Sequence, residues 1–140
     1  MELDPRYLKG IELFNAREFF DAHETWEELW HETQGEAKNF IQALIQAATA
    51  LHHFQNSNLK GAKLLYDSFR DLISPYPDKF LDTNKKKLTD EMNLCFQGLA
   101  PYAVEDLPGR YSPQKEAFPI QLENSKIPTI QLFSSPDAPA

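Results

Sequence analysis

The sequence predicts an all-α protein: a compact bundle of about five antiparallel helices with a Pro-rich, extended C-terminal tail. Three observations carry this. Apolar residues recur at helical spacing in successive segments, as in Ala62, Leu65, Tyr66, Phe69, Leu72 and Ile73. Short runs of Asn, Ser, Gly and Pro separate those segments, leaving room only for turns between neighbouring antiparallel helices. Seven of the ten prolines lie from Pro101 onward, where helical periodicity ends. A chain of 140 residues fits one core, so residues 1–100 are expected to form the bundle and residues 101–140 a partly ordered tail.

Each element has a local reason. Asp4-Pro5 reads as an N-cap followed by the first helical position, opening a helix through Tyr7, Ile11, Leu13 and Phe14. In "FNAREFF", Asn15 is positioned to cap a second helix, with Glu18 as its capping-box partner and Phe14 and Phe19 as the flanking staple. That helix is predicted to run to Thr33 or Gln34, with Gly35 as its left-handed stop. The third covers residues 37–55 and is apolar on most sides, hence central. Asn58 caps the fourth, which "SPYPD" ends because Pro75 and Pro77 cannot continue a helix. A fifth begins near Thr83 and carries Leu88, Met92, Cys95, Phe96 and Leu99 on one face. In the tail, "FPIQLE" and "IPTIQLF" alternate well enough to lie extended along the bundle or against a partner, with the last several residues expected to be mobile.

Composition narrows the function classes. The formal charge of −7 and the absence of a Lys/Arg stripe argue against nucleic acid and anionic membrane surfaces as partners. Lys85-Lys86-Lys87 reads as a solvated helix face. One cysteine, Cys95, permits neither an intrachain disulfide nor a thiolate metal cluster; it sits on an apolar face without a sequence partner for nucleophilic work. There is no signal-peptide pattern and no long apolar run, which makes the cytoplasm the expected location. From Glu12 to Glu36 eight carboxylates face one base, Arg17, a balance that favours cations.

The chemistry is concentrated in "DAHETWEELW". At 100° per residue, His23 and Glu27 share the apolar sector with Phe19, Phe20, Trp26 and Trp30, and as an i, i+4 pair they can hydrogen-bond each other or hold one ion. Glu24, Glu28 and Glu32 fall on the solvated flank. On the third helix Gln42, Gln46, Thr49 and His53 form one narrow polar stripe. Unpaired buried polar groups cost on the order of 1–3 kcal/mol, so the two stripes are expected to meet in one shared site. Two readings of that site stay open. In one, Glu27, the histidines, Gln42 and Gln46 form a satisfied buried network. In the other, His23, Glu27 and His53 ligate a divalent metal, zinc or manganese, with water in an open position. Trp26 and Trp30 then wall the pocket, Gln42 and Gln46 orient ligands or water, and Glu24 is a distant candidate base for metal-dependent hydrolysis. The H-E-x-x-H zinc signature is absent because Glu27 stands at its last position. His31 lies about 12 Å along the axis from His23 and suits the helix C-terminus instead.

These residues resemble a known family, domain of unknown function 309. Its HxxxExxW hallmark corresponds to His23, Glu27 and Trp30, preceded by Asn15, Glu18, Phe19 and Phe20. A second block matches Gln42, Gln46, His53, Asn58 and Gly61-Ala62. Residues 10–75 carry the resemblance, and Ser57 and Ala43 stand where the family usually has glycine. The resemblance implies a compact helical bundle with metal binding expected at the motif and no established activity. Two functions follow as expectations: a metal-binding, hydrolase-like protein, or a non-catalytic binding or scaffold protein whose buried network is structural. Either takes an unknown small molecule or protein partner, with homo-oligomerisation through the tail as an option.

Overall fold

The computed structural model describes residues 2–112 and 118–134. Five helices form its body: α1 (Pro5–Asn15), α2 (Phe19–Glu32), α3 (Gly35–Gln55), α4 (Leu59–Ile73) and α5 (Lys85–Cys95). The all-helical bundle is therefore as the sequence predicts. Helices α1 to α4 pack in chain order, each against the next, and α3 lies centrally with ten buried residues from Phe40 to Phe54. Phe14, Phe19, Trp26, Phe40, Leu44, Leu51 and Phe69 fill the core.

The caps explain most boundaries. Asp4 accepts from the Arg6 amide, Asn58 from Gly61 and Asn84 from Lys87, each satisfying a donor that an open helix end leaves orphaned. Asn15 behaves differently from the sequence expectation. It is the last residue of α1, and Glu18 occupies the N-cap position of α2 without a side-chain cap bond. Arg17, at φ 67°, takes the left-handed position of a Schellman stop: its amide donates to Phe14 O and the Glu18 amide to Leu13 O, both at 2.9 Å. The expected Phe14–Phe19 contact is present, edge to face at 5.1 Å between centroids. The turn from α3 to α4 repeats this device, with Ser57 at φ 59° and the Asn58 amide donating to His53 O at 2.9 Å. Gly35 is left-handed at φ 72° as predicted, but it opens α3 instead of stopping α2.

A small hairpin that the sequence reading did not anticipate precedes α5. Strands β1 (Lys79–Phe80) and β2 (Thr83–Asn84) pair antiparallel around Leu81 and Asp82, both at positive φ. Accordingly α5 starts at Lys85, two residues after the expected Thr83. The tail's "IPTIQLF" stretch lies extended and adds to this hairpin. Thr83 and Leu132 form an antiparallel bridge, the Asn84 amide donates to Gln131 O at 2.8 Å, and the Phe133 amide donates to Asp82 O at 2.8 Å. Leu107 and Ile130 are buried with the helical core, while Ile120 and Leu122 pack partly buried against it. The end of the tail expected to be mobile, from residue 135 on, lies outside the described residues. Among the described residues no helix is long and apolar enough to cross a membrane.

Candidate functional site

His23 and Glu27 do pair: His23 Nε2 lies 3.0 Å from Glu27 Oε2. The pair is not deeply buried. The His23 side chain keeps 27% of its surface and Glu27 49%, so the two sit on the outer shoulder of α2. The inward residue of this stretch is Trp26, fully buried, with Nε1 donating to Tyr7 O at 3.1 Å. Trp26 thus packs under α1 and is a core residue, not a wall of a polar pocket. Gly10 makes its place: a Cβ there would stand 1.9 Å from the indole nitrogen. Trp30, partly buried, meets the Lys38 ammonium 4.1 Å from its ring centroid and the His31 ring at 5.1 Å, tying the end of α2 to the start of α3. Glu24 and Glu28 are exposed.

The polar stripe of α3 turns the other way. Gln46 Nε2 donates to Ser68 Oγ of α4 at 3.3 Å, while Thr49 bonds the carbonyl of Ile45 on its own helix. His53 Nδ1 lies 3.2 Å from Asn58 Nδ2. Gln42 is partly buried one turn before Gln46. Of the stripe, Gln46 and His53 serve α4 and the turn leading to it, because α3 is sandwiched between α2 and α4. The expected meeting of His53, Gln46 and the His23–Glu27 pair is therefore not made.

The imidazole of α3 that faces α2 is His52. Its ring lies 5.4 Å from Phe20, whose ring is in turn 5.9 Å from His23. Phe20, half exposed, stands between the two histidines. Sequence reasoning missed His52 because it falls off the Gln42–His53 stripe. Its signal was the i, i+4 pair with Asn56, whose Nδ2 reaches both the His52 ring and its carbonyl.

The tightest motif assembly is the α3–α4 corner. Asn58 Oδ1 accepts from the Gly61 amide at 3.0 Å, so its Nδ2 is left to donate to His53 Nδ1. That bond requires a neutral imidazole with its proton on Nε2. Burial, followed by the nearby His52 and Arg110 charges, lowers the His53 pKa below its ordinary 6.5 and favours the same form. Gly61 is required here, since a Cβ would lie 2.5 Å from Asn58 Nδ2 and 3.1 Å from His53 Cδ2. The Lys60 amide donates to Pro108 O at 3.0 Å, bringing the tail over this corner.

The donor set does not fit a bound metal as anticipated. Among the described residues no three of His, Cys, Asp and Glu gather closely enough to hold one ion. His23 and Glu27 offer two donors from one helix, whereas His53 is committed to Asn58 at the other side of α3. Cys95 is buried in α5, and burial pushes its thiol up to about 12, leaving it protonated at neutral pH.

The chain is 38% identical over 64 residues to the uncharacterized protein YpuF of Bacillus subtilis (strain 168), a match covering 44% of this chain and 37% of that protein. The matched stretch therefore spans little more than a third of the relative's length. No solved structure matches. Residues 7–65, which hold both motif blocks, match the model of a family described as domain of unknown function (DUF309), and this segment of the chain is similar to that family.

Proposed function

We propose that this is a non-catalytic binding or scaffold protein in which the motif residues fix the helices against one another. The observation that carries this reading is the commitment of His53 to Asn58 and Gly61 at the α3–α4 corner, away from His23 and Glu27. Trp26 under Gly10 and Trp30 under Lys38 serve likewise as joints, α1 to α2 and α2 to α3. The partner-facing surface is then the outer α2–α3 face. There Phe20 is half exposed between His23 and His52, alongside the exposed carboxylates Asp21, Glu24 and Glu28. An exposed aromatic ringed by polar groups is suited to anchoring a partner.

Metal analysis and melting test this. Purified protein is expected to carry no stoichiometric zinc or manganese, and its Tm is expected not to move on adding either ion or a chelator. His53→Ala is expected to lower Tm equally with and without chelator. Stoichiometric metal that is lost in His23→Ala, Glu27→Gln and His53→Ala alike overturns the reading and restores the metal-centred one.

A further inference from the structure

A cleft of about 840 Å³ opens where four segments converge: the N-terminal segment with α1, the first turn of α3, the hairpin, and the end of the described tail. Its walls are Leu3, Leu8, Ala37, Phe80, Leu81 and Leu132. Leu8 and, beside the cleft, Phe133 remain 40% and 37% exposed, so apolar surface continues out to the rim. A volume in this range suits a small-molecule site, for which pockets of roughly 300–1,000 Å³ are usual.

Two charged residues line it, and they differ. The Asp82 carboxylate keeps its charge and accepts through Oδ2 from both the amide and the hydroxyl of Ser134, which turns that oxygen toward the tail. Lys79 forms no ion pair among the described residues; its ammonium leans toward the Phe133 ring, 5.5 Å from the centroid. Among the described residues the cleft therefore presents a long apolar wall with the Lys79 ammonium, which has no ion-pair partner there, on its lining.

We propose that this cleft binds an amphipathic carboxylate, a medium-chain fatty acid or a compound of that build. Its acyl chain would lie along Leu8, Phe80 and Leu132, and its carboxylate would meet the Lys79 ammonium. The pairing is one of charge and shape: the ligand's anion faces the Lys79 ammonium, and its tail replaces water on surface that otherwise stays exposed. This inference is independent of the scaffold reading, since none of these residues belongs to the motif.

Calorimetric titration of the full chain with dodecanoate, kept below its critical micelle concentration, tests it. Saturable one-to-one binding is expected, weakening about fourfold for each methylene removed in decanoate and octanoate. Lys79→Glu and Leu8→Asp, both at exposed positions, are each expected to weaken dodecanoate binding at least tenfold while leaving Tm unchanged. Dodecyltrimethylammonium, with the same chain and opposite charge, is expected not to bind. Equal binding of the cationic amphiphile, or unchanged affinity in Lys79→Glu, overturns the proposal. So does the absence of saturable binding.

Discussion

Asn15 and Ile130 exchange two hydrogen bonds across 115 positions of sequence: Asn15 Nδ2 donates to Ile130 O at 2.8 Å, and the Ile130 amide donates to Asn15 Oδ1 at 2.7 Å. One side-chain amide thus imitates a neighbouring strand and fastens the tail to the end of α1. Ile130 is 3% exposed, so its backbone groups have little access to water as an alternative partner. Asn15→Ala is expected to cost about 2 kcal/mol, roughly 6 °C in Tm, as two bonds are lost and a buried donor and acceptor of Ile130 are orphaned. Hydrogen exchange at the Ile130 amide should accelerate more than exchange in α3. Asn15→Asp, which keeps the acceptor, should fall between. Unchanged exchange at Ile130 would show that the apolar contacts of the tail suffice.

Gly10 and Trp26 set a second expectation whose sign is diagnostic. In an exposed helix Gly→Ala stabilises by up to about 1 kcal/mol. Here the added methyl would lie 1.9 Å from Trp26 Nε1. The Trp26 ring is held on its other sides by Phe14, at 6.0 Å between centroids, and by its bond to Tyr7 O. Gly10→Ala is therefore expected to destabilise by about 3 kcal/mol in urea denaturation. Combined with Trp26→Leu, the same change should cost far less than the sum of the two, because the smaller side chain vacates the clash.

How far the sequence carried depended on what kind of signal each residue gives. Asp4, Asn58 and the apolar periodicity of α3 and α4 are local instructions, and they placed helices and caps well. The stretch from Asn15 to Glu18 carried an ambiguous one. An N-x-x-E spacing serves a capping box, yet the same residues close α1 in a Schellman stop whose left-handed position holds Arg17 and so lacks the usual glycine marker. The hairpin was invisible because two-residue strands show no alternation and Leu81-Asp82 is not an Asn-Gly turn. For the candidate site, a helical wheel gives the angle between His53 and its neighbours on α3 but not which helix lies at that angle. His53 faces the turn to α4, and His52 faces Phe20.

His53 predicts a pH dependence. Burial first, then the His52 and Arg110 charges, hold its pKa below 6.5, so the folded protein takes this proton less readily than the unfolded chain. As pH falls through about 6.5 the unfolded state binds more protons, and stability falls with it; above that pH the contribution is complete. The urea midpoint should drop between about pH 7 and about pH 5 in the wild type and drop less in His53→Gln. A parallel decline in both proteins would assign the loss to other groups.

Ser57 offers a stabilising substitution. It occupies the left-handed position between α3 and α4 at φ 59°, where an L side chain is strained by roughly 1–2 kcal/mol and glycine is not. Its side chain is exposed and makes no hydrogen bond among the described residues, so little is lost on removing it. Glycine also frees the unfolded chain, which offsets part of the gain. Ser57→Gly is thus expected to raise stability by about 0.5–1 kcal/mol, read as a higher urea midpoint at unchanged slope. The amide bonds Ser57 N to Phe54 O and Asn58 N to His53 O do not involve the side chain and should persist. A lower midpoint would mean that the hydroxyl holds this corner in a way the geometry does not contain.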